Sequence, residues 1–191
     1  MTLPNQLSIL RIILTPVFLY LFLSENPLYR KLSMLVFFIA TVTDWYDGWH
    51  ARKFGLESAF GIFIDPLADK ILTSAAFTGF CILGIMPFWM LIVIVIRDIV
   101  ITLMRSYREY KGYTMKTSFI AKTKTFIQML YIFIIIILVS LLSFDISASM
   151  KENINIFLYS EFNYYLILMI TIITFYTGVS YFFEIRKEEK K

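Results

Sequence analysis

The chain alternates long apolar runs with short polar connections, and the run lengths predict helices that cross a membrane. Residues 7–23, 32–43, 59–83, 88–110, 126–142 and 164–183 are each dominated by Leu, Ile, Val, Phe and other apolar residues. About 20 such residues in a helix span the hydrocarbon core of a bilayer. The second run continues past residue 43 into a charged stretch, and the third carries charge in its first turns. Pro27, Gly55 and a tight turn at 84–87 punctuate the connections. Residues 1–6 read as a polar lead, 143–163 as a mixed loop and 184–191 as a charged tail. The pattern predicts an all-α integral membrane protein with six transmembrane helices and a single domain over 1–191.

Composition supports this. Of 191 residues, 59% are apolar and only 17% charged, which excludes an ordinary soluble domain. The net charge of +4 is explained by cationic loops that orient helices and touch anionic headgroups, so no nucleic-acid partner is needed. One end of the helices collects Arg52, Lys53, Arg105, Arg108, Lys111, Lys116, Lys122, Lys124, Arg186, Lys187, Lys190 and Lys191. The other has only Arg30, Lys31 and Lys151. The bias places both termini in the cytoplasm. Cys81 lies in an apolar run and reads as a packing residue. The first run carries Arg11 and Pro16 and lacks a cleavage site, so it reads as a span rather than a removable leader.

Against this background the stretch from Asp44 to Asp69 is anomalous. It places Asp44, Asp47, Asp65 and Asp69 in two apolar segments, where a charge costs roughly 2.5–3.5 kcal/mol by insertion scales. At about 100° per residue, Asp44, Asp47, Gly48 and Ala51 share one helix face, and Gly61, Asp65 and Asp69 share another. Small residues beside carboxylates let a bulky ligand or a second backbone approach. Four neighbouring carboxylates repel unless protons or cations neutralise them. Their hard oxygen donors favour Mg²⁺, Mn²⁺ or Ca²⁺ over zinc. Four could hold two ions, as in phosphoryl transfer. A blander reading pairs them with Arg52, Lys53 and Lys70 in salt bridges, which leaves the small-residue spacing without a purpose. His50, Trp45, Tyr46 and Trp49 lie in the same stretch; interfacial anchoring accounts for the aromatic residues.

The full pattern, Asp44-x2-Asp47-Gly48-x2-Ala51-Arg52-x8-Gly61-x3-Asp65-x3-Asp69, resembles the signature of the CDP-alcohol phosphotransferase family at every defined position. The similarity is greatest to members that form phosphatidylglycerophosphate. It extends to Asn5, Arg11 and Pro16 (with Ser8 in place of a threonine), to the run Asp65-Pro66-Leu67-Ala68-Asp69-Lys70, and to Arg97-Asp98 with Arg105 eight residues on. It also covers Lys122-Thr123-Lys124-Thr125 followed by Gln128, with Ala121 where a glycine is usual.

The resemblance implies a homodimeric bacterial inner-membrane enzyme, with its site at the cytoplasmic face, acting on CDP-diacylglycerol. By similarity, Asp44, Asp47, Asp65 and Asp69 bind two divalent cations, Mg²⁺ or Mn²⁺, and Asp69 is also the general base. Gly48, Ala51, Arg52 and Gly61 are implied to line the CDP site. Arg105, Lys122 and Lys124 are expected to bind the phosphate of the acceptor, glycerol 3-phosphate, since arginine grips phosphate bidentately and lysine adds a point charge. Arg97 is divided between acceptor contact and pairing with Asp98, and Arg108, Lys111 and Lys116 serve topology or lipid. Inositol phosphate and phosphatidylglycerol are the alternative acceptors; serine and free inositol leave Lys122 and Lys124 without a purpose. A divalent-cation transporter is the rival of a different class. Transport sites usually lie near the midplane on broken helices, whereas these acids cluster at one end.

Overall fold

The computed structural model describes residues 3–54, 61–111 and 119–188. Its elements are α1 (Leu3–Leu23), α2 (Pro27–Phe54), α3 (Gly61–Ile82), α4 (Phe88–Tyr110), α5 (Phe119–Leu141), α6 (Ala148–Leu158) and α7 (Glu161–Glu188). The described residues contain no strand. α1 packs on α2 and α3; α3 leads to α4, α4 to α7, and α5 sits against α2, α3 and α7.

The sequence expectations hold best where breakers are strong. α4 occupies the expected 88–110, entered from Pro87. The turn before it is a Schellman closure: Gly84 sits at φ 73°, Ile85 N–H donates to Phe80 O (2.9 Å) and Gly84 N–H to Cys81 O (3.0 Å). Two expectations fail. The loop expected over 143–163 contains α6, an eleven-residue helix whose Ser147 cap accepts from Met150 N–H (3.3 Å). Burial of Ile154 and Leu158, one turn apart on α6, supplies the packing that the mixed composition concealed. α5 begins at Phe119 rather than near 126, which places the 122–125 segment inside a helix.

The core is aromatic. Phe18 lies 5.0 Å from Phe37 by ring centroids, Phe37 5.2 Å from Phe133, and Phe22 5.8 Å from Phe80. α3 can approach α1 because Gly79 lacks a side chain: a Cβ there would fall 2.8 Å from Phe22 Cδ1.

The exterior is apolar where that of a water-soluble protein is polar, and several charged and polar side chains are buried. Leu10, Ile13 and Val17 on α1, Ile92 and Ile96 on α4, and Met169, Ile172 and Phe175 on α7 are exposed. Arg11, Asp98, Lys124, Asn163 and Thr174 are buried. Soluble monomers do not carry apolar exteriors of this extent. Asn5–Leu23, Lys122–Leu141 and Glu161–Phe183 are long and apolar enough to cross a membrane by composition. α3 and α4, 22 and 23 residues long, reach about 33 Å, but α3 carries Asp65, Asp69 and Lys70 in its first half and α4 carries Arg97 and Asp98 midway.

The helices alternate in direction, so their ends sort into two groups. At one end Lys31 Nζ lies 4.4 Å from the Phe144 ring centroid, and the Tyr159 hydroxyl donates to Leu83 O (3.1 Å). At the other, Phe63 near the start of α3 lies 5.7 Å from Tyr110 at the end of α4. The end of α2 and the start of α3 belong to this second end.

Candidate active site

α2 carries Asp44, Asp47, Gly48, Ala51 and Arg52 in its last three turns as one unbroken helix. The side chains of these residues lie outside the described part of the structure. The third helix is better defined. Asp65 and Asp69, four residues apart, share a face near the start of α3 and are both half-buried. Gly61 opens that helix and is buried, and Ala68 is buried beside Asp69.

Each of these two acids has a specific partner. The Ser8 hydroxyl of α1 donates to Asp65 Oδ1 at 2.5 Å. Ser8 is one of a polar set on α1, with Asn5 and Arg11, that is buried against the bundle. Asp69 Oδ2 lies 2.8 Å from Lys70 Nζ, so the salt-bridge reading holds for that carboxylate, which keeps 26% of its side chain exposed. Thr73 donates back to the carbonyls of Asp69 and Lys70 (3.2 Å each).

The donor chemistry suits a hard divalent cation. Asp65 and Asp69 offer carboxylate oxygens from one helix face. No group of three potential ligands gathers among the described residues; the side chains of Asp44 and Asp47 lie outside that description.

The downstream cations divide into two kinds. Arg105 and Lys122 are exposed. Lys124 is not: its ammonium donates to Asp98 Oδ1 at 2.6 Å, with each side chain only 2% exposed. Lys124 was expected beside Lys122 on an acceptor phosphate, but within a helix residues two apart point about 200° away from each other. Gln128, one turn on from Lys124, donates through Nε2 to Asp98 Oδ2 (3.1 Å). Arg97 completes the cluster, donating through Nη1 to Asp98 Oδ1 (2.9 Å) and through Nη2 to Thr177 Oγ1 on α7 (2.8 Å). Its stem crosses Gly178, where a Cβ would lie 2.8 Å from Arg97 Cγ.

Ser8, Thr177 and Gly178 were not foreseen as site residues. Ser8 could have been found from its place in the α1 motif. Thr177-Gly178 had a weaker signal, a hydroxyl beside a glycine in an otherwise large-residue helix.

The chain matches the family model for CDP-alcohol phosphatidyltransferase over residues 1–176. It is similar to the CDP-diacylglycerol–glycerol-3-phosphate 3-phosphatidyltransferase of Bacillus subtilis (strain 168), with 35% identity over 140 residues, 67% of this chain and 72% of that protein. The identically named protein of Rickettsia typhi is 36% identical over 135 residues, 71% of this chain and 76% of the relative. That of Wigglesworthia glossinidia brevipalpis is 34% identical over 167 residues, 78% and 87% respectively.

Proposed function

The chain belongs to the CDP-alcohol phosphatidyltransferase family, and from that premise we propose that it transfers the phosphatidyl group of CDP-diacylglycerol to sn-glycerol 3-phosphate. The products are phosphatidylglycerophosphate and CMP. The observation that carries the reading is the complete acid signature across the end of α2 and the start of α3. The names of the relatives support the choice of glycerol 3-phosphate as acceptor.

In this reading Asp44, Asp47, Asp65 and Asp69 hold two divalent cations, Mg²⁺ or Mn²⁺, which supply positive charge to the pyrophosphate and the departing CMP. Gly48, Ala51, Arg52 and Gly61 line the CDP site; the small residues admit the nucleotide. Asp69 accepts the proton of the acceptor's 1-hydroxyl as its oxygen attacks the phosphorus nearest diacylglycerol. Lys70 holds one Asp69 oxygen at 2.8 Å and so orients the carboxylate. Arg105 and Lys122 bind the acceptor's phosphate, and their exposed heads suit a substrate that arrives from water. Holding both reactants in line supplies much of the rate enhancement in such transfers.

The setting follows from length and charge. α1 to α5 and α7 run to 21–28 residues and make six crossings, while α6, at 11 residues and about 16 Å, lies at the far surface. The loop-charge bias supports placing both termini and the site at the cytoplasmic face, and the bacterial sources of the relatives support an inner membrane. The enzyme acts as a homodimer.

The test is an acceptor panel. Purified protein with CDP-diacylglycerol and Mg²⁺ or Mn²⁺ should release CMP when given glycerol 3-phosphate. Turnover of inositol phosphate, phosphatidylglycerol or serine without turnover of glycerol 3-phosphate would refute the acceptor and keep the family chemistry. No cation-dependent CMP release with any acceptor would refute the enzyme reading.

A further inference from the structure

α4 and α5 share α3 and α7 as neighbours, yet neither is among the other's principal packing partners. The described link between them is polar: Lys124 Nζ and Gln128 Nε2, one turn apart on α5, take the two oxygens of Asp98 on α4 at 2.6 and 3.1 Å. Arg97 adds a second tie, from α4 to Thr177 on α7, through a gap kept open by Gly178. Seven residues from Asp98, Arg105 returns to the same face of α4, two turns nearer the acids. Lys122 lies two residues before Lys124 at the same end of α5. The two exposed cations are therefore held by backbones that Asp98 joins.

We propose that Asp98 is a positioning residue for the acceptor site: with Lys124 as its counter-ion and Gln128 on its other oxygen it ties α4 to α5 and fixes the stretch of α4 that carries Arg105, while Lys124 itself does not touch the acceptor. The claim rests on the proposed roles of Arg105 and Lys122. Charge balance supports it. The buried cluster contains two cations, Arg97 and Lys124, and one anion, Asp98, all within hydrogen-bond distance. Removing Lys124 leaves Asp98 with Arg97 and Gln128. Neutralising Asp98 instead leaves the buried Lys124 and the partly buried Arg97 against one amide, the costlier defect, because a charge stripped of its buried partner destabilises more than loss of the whole pair.

The experiment uses the full chain in detergent or nanodiscs, with thermal midpoints read by fluorescence-detected chromatography beside steady-state kinetics. Lys124→Met is expected to keep the KM for glycerol 3-phosphate within threefold of the parent, whereas Lys122→Met raises it tenfold or more. Asp98→Asn is expected to lower the thermal midpoint and to raise the KM for glycerol 3-phosphate at least tenfold, with the KM for CDP-diacylglycerol within twofold. Adding Lys124→Met to Asp98→Asn should recover at least half of the lost midpoint. If Asp98→Asn does not yield folded protein, the same double variant decides the counter-ion claim, and Lys124→Met combined with Gln128→Met, which removes both ties to α5 and leaves Asp98 its Arg97 partner, must then show the selective rise in acceptor KM at threefold or more.

A Lys124→Met effect as large as that of Lys122→Met would overturn the proposal. So would a double variant no more stable than Asp98→Asn, or equal rises in both KM values. If the parent turns over no glycerol 3-phosphate, the function fails on its own, and the midpoints still decide whether Lys124 balances Asp98.

Discussion

Gly178→Ala probes the Arg97 crossing with a single methyl group. A Cβ at this position would sit 2.8 Å from Arg97 Cγ, 3.3 Å from Nε and 3.7 Å from Cδ. Carbon atoms in good contact stand about 3.5–4.0 Å apart, so the stem must retreat by about 0.7 Å. It cannot swing freely, because its head is held by Asp98 at 2.9 Å and by Thr177 at 2.8 Å. Overpacking of this kind costs about 1–3 kcal/mol, and replacing a helical glycine by alanine returns about 1 kcal/mol. If the stem moves enough to break one bond of the guanidinium, about 1.5–3 kcal/mol is added to the cost. The net expectation is a destabilisation of about 0–2 kcal/mol if the guanidinium keeps both bonds and about 1.5–5 kcal/mol if it loses one. A fluorescence-detected thermal scan should show it as a fall of several degrees, at about 2–4 °C per kcal/mol for a chain of this size. The decisive comparison is an Arg97→Ala background, where the methyl group meets no stem. There Gly178→Ala should stabilise, by up to about 1 kcal/mol from helix propensity alone. An equal loss in both backgrounds would refute the placement of Arg97 over Gly178.

Three further outcomes follow from the site. Ser8→Ala removes the hydroxyl that donates to Asp65; the Mn²⁺ concentration needed for half-maximal thermal stabilisation should rise about tenfold, and Ser8→Thr should restore it. Asp69→Asn should cut CMP release by at least about a hundredfold, the lower bound for loss of a general base, with its thermal midpoint unchanged within a few degrees. Arg105→Ala should raise the KM for glycerol 3-phosphate about tenfold or more, the equivalent of losing a charged hydrogen bond of about 1.5–3 kcal/mol, and leave the KM for CDP-diacylglycerol unaltered.

Much of the fold was legible because membrane helices declare themselves by length. The 88–110 helix was read to the residue: Pro87 starts it and the polar residues after Tyr110 end the run. The 143–163 segment was not legible as a helix by the same criterion, since α6 is too short and too polar to span. Its evidence was local instead, in a Ser147 cap and a one-turn repeat of Ile154 and Leu158. The acids were legible as a set because charge in apolar sequence is costly. The partners of Asp65 and Asp98 were not, because Ser8 and Lys124 lie 57 and 26 residues away in the chain.

The Lys124 case shows how a helix boundary can decide the chemistry of one residue. The 119–125 segment contains two lysines and two threonines, and mean polarity alone assigns it to a loop. In a loop, Lys122 and Lys124 could both turn toward one phosphate. Once α5 starts at Phe119, helical phase sends them to opposite faces. One faces out at the acid end; the other enters the bundle, where an ammonium must find a carboxylate or destabilise the fold. Asp98 is that carboxylate at 2.6 Å, and Gln128 shares the inward face one turn later, at its other oxygen. A polar helix start was thus readable as amphipathic rather than as loop. The i, i+4 pair of Lys124 and Gln128 in front of a long apolar run was the signal that both would be buried together.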